Sequence, residues 1–486
     1  MPRLSARFFV VVLFVFVAAT MAGLAACGGG GEAADAGSGG AADGGPVADD
    51  GSVGGDGGGP DAGSADAGYP ARREQRGKFI VAWIGGTPYE MGFQHGELLH
   101  EELKAGMEYI ESDPLLSNMY QMAADLGVVP IARENSYSDI VEECRGLSDA
   151  ARDVGWTVDK CLILNFGDVV MEYIMDGMPT FKTPGCSEVA VAGGATANWG
   201  TATEAGKLLH GRILDWSKIQ FILDYPTVFV REPSDGIAHA YIGFPANISP
   251  YSGINAEGVS IASNEIHPKN VKETALSGHS HVQMLGQLLK KAHSLDDART
   301  IIQNETHMSS ELFMVADGKA RTASVFEMTA AHLGERKMNE DGVVWATNHF
   351  LAPETEAYDM DPTREANTLR YERFRQLVEK DAKDWAGAAP SQYGSFNPGV
   401  LVQVLRDRYN PYTGEQSAYD EFDNGKSIAT YGALFAIAFQ PEDLWFWVAA
   451  GTIPVPQQEY MGFSLGELLG LPGAQPVNPI KFEAAQ

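Results

Sequence analysis

The chain has 486 residues and a formal net charge of −29, from 35 Lys and Arg against 64 Asp and Glu, with 44% hydrophobic residues and four cysteines. A surface that acidic repels phosphate backbones, which argues against nucleic acid as a partner. Past the N-terminus no apolar run approaches the roughly twenty residues of a membrane-spanning helix, so the folded part is expected to be soluble.

Arg3 and Arg7 precede the run "FFVVVLFVFVAA", which is too short to span a bilayer stably and reads as the core of a signal peptide. It leads to "LAAC", Leu24 to Cys27, which resembles a bacterial lipobox. Residues 1–27 are therefore expected to be a lipoprotein signal, with Cys27 acylated. An ordinary secretory signal is the plainer alternative. Residues 28–76 are expected to be a tether. Up to residue 68 they are almost entirely Gly, Ala, Asp and Ser, with eight acidic residues and no Lys or Arg. Such a segment buries too little apolar surface to offset its ordering entropy. Gly28, and not Asp, follows Cys27, which points to the outer membrane or cell surface, the periplasm being the other compartment an exported chain could occupy.

The folded domain is expected over 77–465, with a C-terminal tail at 466–486. It opens with a strand over 77–83, and "GTPYEMGFQHGELLHEELKAGMEYI" reads as a turn running into amphipathic helix. Helical pattern continues to about residue 176 and contains Cys144 and Cys161. These are the only plausible disulfide pair in an exported chain, and the sequence leaves open whether they bond or are simply buried. After Cys186 short β-rich runs follow one another: "SEVAVAGG", "KLLHGRILDW", "PTVFVRE", "HAYIGFP" and "GVSIASNEI". A helical pair, "HVQMLGQLLKKAH" and "SLDDARTIIQN", comes next, with Ser294 placed as an N-cap. Strands return in "LFMVADG", "ARTASVFEMT" and "GVVWATNHF". A helix is expected over 363–384, and the strands "ATYGALFAIAFQ" and "DLWFWVAAG" close the chain. Helices first, then strands interrupted by helices, indicate an α+β layered domain and not alternating βαβ units.

Cys186 stands out. It follows Pro184 and Gly185 and opens a strand, with no cysteine left over to pair with it. A thiol has a reference pKa near 8.5 and needs a base or a positive neighbour to react. An α-amino group, with a reference pKa of about 7.7–8.0, could take that proton if the Gly185–Cys186 bond were cut. Gly185 tolerates the tight backbone that attack by the adjacent thiol requires. In "LLHGRILDW", Arg212 and Asp215 stand three residues apart. A guanidinium lowers a nearby thiol's pKa, and a carboxylate can orient both it and a new ammonium. Taken alone, each of these residues also fits a purely structural role.

Five motifs in order, "GTPYEMGFQHGELL", "PGCSEVAV", "HGRILDW", "GINAEGVSIASNEI" and "WATNHF", resemble the acyl-CoA:6-aminopenicillanic acid acyltransferase family. These are N-terminal nucleophile hydrolases related to choloylglycine hydrolases and acid-ceramidase-like amidases. The resemblance implies a four-layer αββα fold and self-cleavage at Gly185–Cys186. An α chain of 77–185 would stay associated with a β chain of 186–465. It also implies a small amide or peptide-like substrate and no metal or organic cofactor. Cys186 matches the nucleophile, and Arg212 and Asp215 match the residues that contact it. Asn264 matches the asparagine expected to help form the oxyanion hole. Asn348 matches one that binds the nucleophile's amine or the substrate carbonyl. Arg370, in "TLRYERF", resembles a further arginine of the choloylglycine branch at a different spacing. Relatives carry asparagine where this chain has Ile213, a change that could remove a substrate contact.

Hydrolysis through an acyl-enzyme is expected over acyl transfer, since acyl-CoA should be scarce outside the cytoplasm. A lipid-amide or bile-salt-like amidase using the same nucleophile is one alternative. A lipoprotein that keeps the fold only for binding is the other. His349 could suggest a papain-like pair with Cys186, but the surrounding residues do not fit. His279 and His281 have metal-like spacing and are expected to be polar residues at a helix start. His95 is expected to be structural.

Overall fold

A computed structural model describes residues 69–125, 127–167, 185–216, 218–382, 391–416 and 425–482. The expected signal peptide, Cys27 and the tether up to residue 68 lie outside them.

Two sheets form the centre of the molecule. The larger has nine strands in the order β1-β2-β5-β6-β7-β8-β9-β10-β11. In chain order these are β1 Arg72–Arg76, β2 Phe79–Gly86, β5 Thr227–Pro233, β6 His239–Gly243, β7 Ser252–Asn255, β8 Val259–Glu265, β9 Glu311–Asp317, β10 Thr322–Met328 and β11 Leu333–Lys337. The smaller has six in the order β12-β3-β4-β13-β14-β15. These are β3 Ser187–Val191, β4 Leu209–Asp215, β12 Val343–Ala346, β13 Ala433–Gln440, β14 Trp445–Ala450 and β15 Met461–Ser464. Every pairing is antiparallel except β2 with β5.

Strand β2, "FIVAWIGG", is apolar on both faces because both are covered. Phe79, Val81 and Trp83 belong to the core shared with the smaller sheet, and Ile80, Ala82 and Ile84 to the core shared with helices. Those helices are α1 Pro88–Leu98, α2 His100–Ser112, α3 Ser138–Ala150, α4 Val158–Phe166, α5 His281–Lys291 and α6 Leu295–Asn304. On the far side, α7 Glu365–Val378 and α8 Pro398–Leu405 cover the smaller sheet. Between the sheets, Leu312 and Met314 of β9 meet Ala190 of β3 and Val344 of β12. The architecture is α+β, in four αββα layers, as expected.

Local chemistry explains the helical layer. Thr87 and Glu90 close a capping box at the start of α1, with Pro88 in the first turn. Helices α1 and α3 then pack backbone to backbone. A β-carbon on Gly92 would run into Glu143 O, and one on Gly146 into Tyr89 O. Ser294 caps α6 through Asp297 N at 3.2 Å. Cys144 and Cys161 are joined, fastening α3 to α4 with their Cα atoms 5.5 Å apart.

Three boundaries differ from expectation. The tether was drawn to residue 76, but Arg72–Arg76 is β1, in register with β2. Its charged side chains hid a strand whose stabilisation is backbone pairing and the stacking of Arg72 on the Trp83 ring. The helix expected over 363–384 is Glu365–Val378. The C-terminal tail packs back on the domain through residue 482: Tyr460 and Ile480 exchange backbone bonds, and Trp447 Nε1 donates to Asn478 O at 2.9 Å.

Candidate active site

Cys186 sits immediately before β3, beside the end of β4, and is 4% exposed. Its Sγ lies 3.7 Å from Asp215 O. The Gly185 amide, one residue earlier, donates to Asp215 Oδ2 at 3.0 Å. The end of β4 therefore holds both residues of the expected cleavage point. Burial pushes the Cys186 thiol up, and the neighbouring Arg212 charge works against that.

Arg212 is fully buried on the face of β4 that looks into the sandwich. It donates from Nε to Ser252 Oγ at 2.7 Å, and from Nη1 and Nη2 to Ile213 O and Ser263 O, both at 2.6 Å. Strands β7 and β8 thus fix the guanidinium from the opposing sheet. Directly across the ladder from Arg212 stands Glu188. Ile213 points the other way by strand alternation, toward the side on which Gly211 meets Leu401 and Leu405 of α8. The residue that departs from the family pattern is core packing between the smaller sheet and its helices.

Arg370 occupies the centre of the site. It is fully buried on α7. Nη1 donates to Cys186 O and to Ser187 Oγ, the latter at 2.9 Å. Nη2 donates to Asn348 Oδ1 at 2.9 Å and Asn367 Oδ1 at 3.0 Å, and Nε to Gly425 O at 2.7 Å. Burial lowers its pKa to about 10. A β-carbon on Gly185 would collide with this guanidinium, so only glycine fits there. Asn348 is engaged at both ends, because its Nδ2 donates to Glu265 O at 2.7 Å.

Asn264, fully buried on β8, lies between Thr347 O and a second pair of oxygens. Its amide nitrogen donates to Ser263 O and Glu188 Oε1, each at 3.1 Å, the orientation that satisfies both ends of the amide.

Contacts therefore gather Cys186, Gly185, Asp215, Asn348 and Arg370 into one cluster, and the Glu188–Arg212 step joins Arg212 and Asn264 to it. The histidines fall elsewhere. His349 Nδ1 pairs with Thr347 Oγ1 at 2.8 Å, and burial lowers its pKa to about 4. His279 pairs with Glu305 at 2.7 Å and stacks on Tyr137, while His281 starts α5. Among the described residues no group of three or more His, Cys, Asp or Glu is placed to hold a metal. His95 is buried, its Nε2 accepting from Ala246 N at 3.0 Å. Ala246 has φ 72°, a strained value for a residue with a side chain, so His95 pins a loop.

Sequence reasoning missed Ser187, Glu188, Ser252 and Asn367. For Glu188 a signal existed: it lies two residues after Cys186 on a strand, hence on the same face.

The chain is 26% identical over 373 residues to an uncharacterized protein of Archaeoglobus fulgidus, a match covering 68% of this chain and 61% of that one. The chain thus spans about three fifths of the length of this curated relative. Similar solved structures include a Caenorhabditis elegans N-acylethanolamine-hydrolyzing acid amidase ortholog, with 14% identity, TM-score 0.34, and 53% of this chain and 93% of that one covered. Penicillin V acylase from Agrobacterium tumefaciens has 11% identity and TM-score 0.34, covering 57% and 86%. A mutant of the conjugated bile acid hydrolase from Clostridium perfringens has 11% identity and TM-score 0.33, covering 62% and 97%. The family model that matches, over residues 218–450, takes in Asn264, Asn348 and Arg370 and begins after Asp215. Over those residues the chain matches the model of the acyl-coenzyme A:6-aminopenicillanic acid acyl-transferase family, the family its motifs resemble.

Proposed function

We propose that this chain is a self-processing cysteine N-terminal nucleophile hydrolase that cleaves a linear amide bond through an acyl-enzyme. The observation that carries this reading is the clamp on the Gly185–Cys186 bond. Asp215 holds the Gly185 N–H, and Arg370 holds Cys186 O while lying against the Gly185 α-carbon.

In self-processing the Cys186 sulfur adds to the Gly185 carbonyl, and the acyl group moves from nitrogen to sulfur. That shift breaks the C–N bond and frees the Cys186 amine; water then cleaves the thioester, giving the Gly185 carboxylate and the free thiol. In turnover that amine accepts the thiol proton as sulfur attacks the substrate carbonyl, and returns it to the departing amine; water resolves the acyl-enzyme. Asn264 is the proposed oxyanion donor; one such donor is typically worth about 10²–10³ in rate. Asn348, held by Arg370, positions the Cys186 amine or the substrate carbonyl.

The α chain would remain bound after cleavage, because β2 lies inside the nine-stranded sheet, paired on one side with β5 of the β chain. Export and anchoring through Cys27 belong to the same proposal, and favour hydrolysis over transfer from acyl-CoA. The substrate class is left at small amides, with N-acyl lipids as the second reading.

Intact-mass analysis of wild type and Cys186→Ala tests the proposal. Two chains are expected from wild type, the larger starting at Cys186, and one from the variant. A folded, active wild type with an unbroken chain would overturn it.

A further inference from the structure

Arg370 and Asn348 stand on different elements, α7 and the segment after β12, and Asn367 joins them. It lies one turn before Arg370 on α7 and is buried. Its Nδ2 donates to Asn348 O, and its Oδ1 accepts from Arg370 Nη2 at 3.0 Å. Its backbone O accepts from Thr347 Oγ1 at 3.3 Å. The two ends of this amide cannot be exchanged. Turned over, its nitrogen would face a guanidinium and its oxygen a carbonyl. An amide suits both neighbours, whereas a carboxylate would suit only the arginine.

The acceptors around Arg370 share one property. It donates to Ala366 O, Gly425 O, Cys186 O, Ser187 Oγ, Asn348 Oδ1 and Asn367 Oδ1, and every one of them is neutral. Arg373, one turn further on and equally buried, is bonded through two nitrogens to the Asp407 carboxylate, at 2.8 and 2.7 Å. Burying a charge without a bonded counter-ion is costly, and such exceptions collect at functional sites. The ionisable groups within the Arg370 field are Asp215 of β4, Arg364 just before α7, His349 and the Cys186 thiol. Arg212 of β4 acts on the same thiol. Glu188 of β3 is bonded to the Asn264 amide, and Lys426, beside Gly425, is paired with Glu365.

We propose that Asn367 is a positioning residue: it fixes Arg370 and Asn348 to one another and, being an amide, leaves the Arg370 charge uncancelled beside Cys186. This inference rests on the proposed roles of Cys186 and Asn348. Arg370 Nη1 is bonded to Cys186 O, so its charge bears on the thiol and on the amine that cleavage frees. A cation there favours the thiolate and the neutral amine, the forms that acylation needs.

The test follows acylation by p-nitrophenyl acetate, an activated ester, across neutral pH in processed wild type, Asn367→Leu and Asn367→Asp. The size of the first burst counts folded sites, while its rate constant reports how each site is set. Leucine is close to asparagine in size and has no polar atoms. Its plateau rate constant should fall about 10²-fold, the loss expected when a reacting group is misplaced by about 1 Å. Aspartate keeps the acceptor for Arg370 but cancels its charge. The acidic midpoint of its profile should lie above that of the leucine variant, by up to about 1 pH unit. A variant that folds yet stays uncut shows the same loss at the earlier step. Wild-type rate constants in both variants, a smaller burst as the only change, or one midpoint shared by the two overturns the inference. Loss of folded protein from both variants also overturns it, because Asn367 would then be structural. A wild type that gives no burst defeats the nucleophile assignment itself, whatever the variants do.

Discussion

Among the buried glutamates set near arginines, Glu143 and Glu188 are treated differently by their neighbours. On the helix side of the nine-stranded sheet, Glu143 of α3 meets Arg231 of β5 in an ion pair at 2.5 Å. Between the sheets, Glu188 of β3 stands opposite Arg212 of β4, but that guanidinium bonds to a serine hydroxyl and two carbonyls instead. Burial pushes both carboxyls up. Only Glu143 has an arginine bonded to it. The first pair joins a helix to a sheet; the second leaves a positive charge free to act on the thiol and a carboxyl free to change its protonation. Where an arginine's donors go tells more about its role than how deeply it is buried.

The sharpest way to break this contrast is to remove each arginine in turn. Arg231→Met leaves Glu143 buried without the arginine bonded to it and should cost about 3–5 kcal/mol in urea unfolding. The folded fraction should still cleave itself. Arg212→Met should cost less, about 1–3 kcal/mol for the partners left unmatched, yet abolish cleavage as read by intact mass. Equal stability losses with cleavage intact in both would end the distinction.

Gly185→Ala sharpens the site half of the comparison. Its new methyl meets the Arg370 guanidinium, and misplacing a reacting group by about 1 Å can slow a reaction about 10²-fold. Precursor should accumulate on gels, and overpacking against the buried guanidinium should cost about 1–3 kcal/mol in urea unfolding. Prompt cleavage would show that the clamp does not position the bond.

Ile213→Asn restores the amide that relatives carry. Because Ile213 packs under the helices and not into the site, the change should destabilise by about 1–3 kcal/mol and bring no gain in p-nitrophenyl acetate turnover. A gain in turnover would place this position at the substrate after all.

A more gradual effect is on the pH dependence of stability. The folded pKa of Glu188, about 8, lies above its ordinary 4.5. Between those values the native state keeps a proton that the unfolded chain has released. The contribution of Glu188 is therefore complete below pH 4.5 and is lost as pH rises through 8, with a slope of at most about 1.4 kcal/mol per pH unit. Urea midpoints of Glu188→Gln should fall less steeply over that window than those of wild type. Parallel curves would show that Glu188 keeps its charge in the fold.

Much of the site was readable in one dimension. "GCSEVAV", "HGRILDW", "SNEI" and "ATNHF" are each local, and each supplies a residue to the cluster. Arg370 was held only loosely because its place depends on how α7 crosses the smaller sheet, not on spacing from a motif. Glu188 escaped because a glutamate in a strand usually faces water, and only the second sheet buries it. The Cys144–Cys161 bond depended on α3 and α4 lying side by side, and β1 was concealed by its arginines.

The order of strands and helices, the capping residues and the lone cysteine behind a glycine follow from the chain's own chemistry, since periodicity and turn preference act over a few residues. The direction in which each buried polar group points was decided only when two sheets closed on one another. Hydrogen-bond partners that lie 50 or 184 residues apart, such as Ser260 with His210 and Arg370 with Cys186, come within reach only through packing.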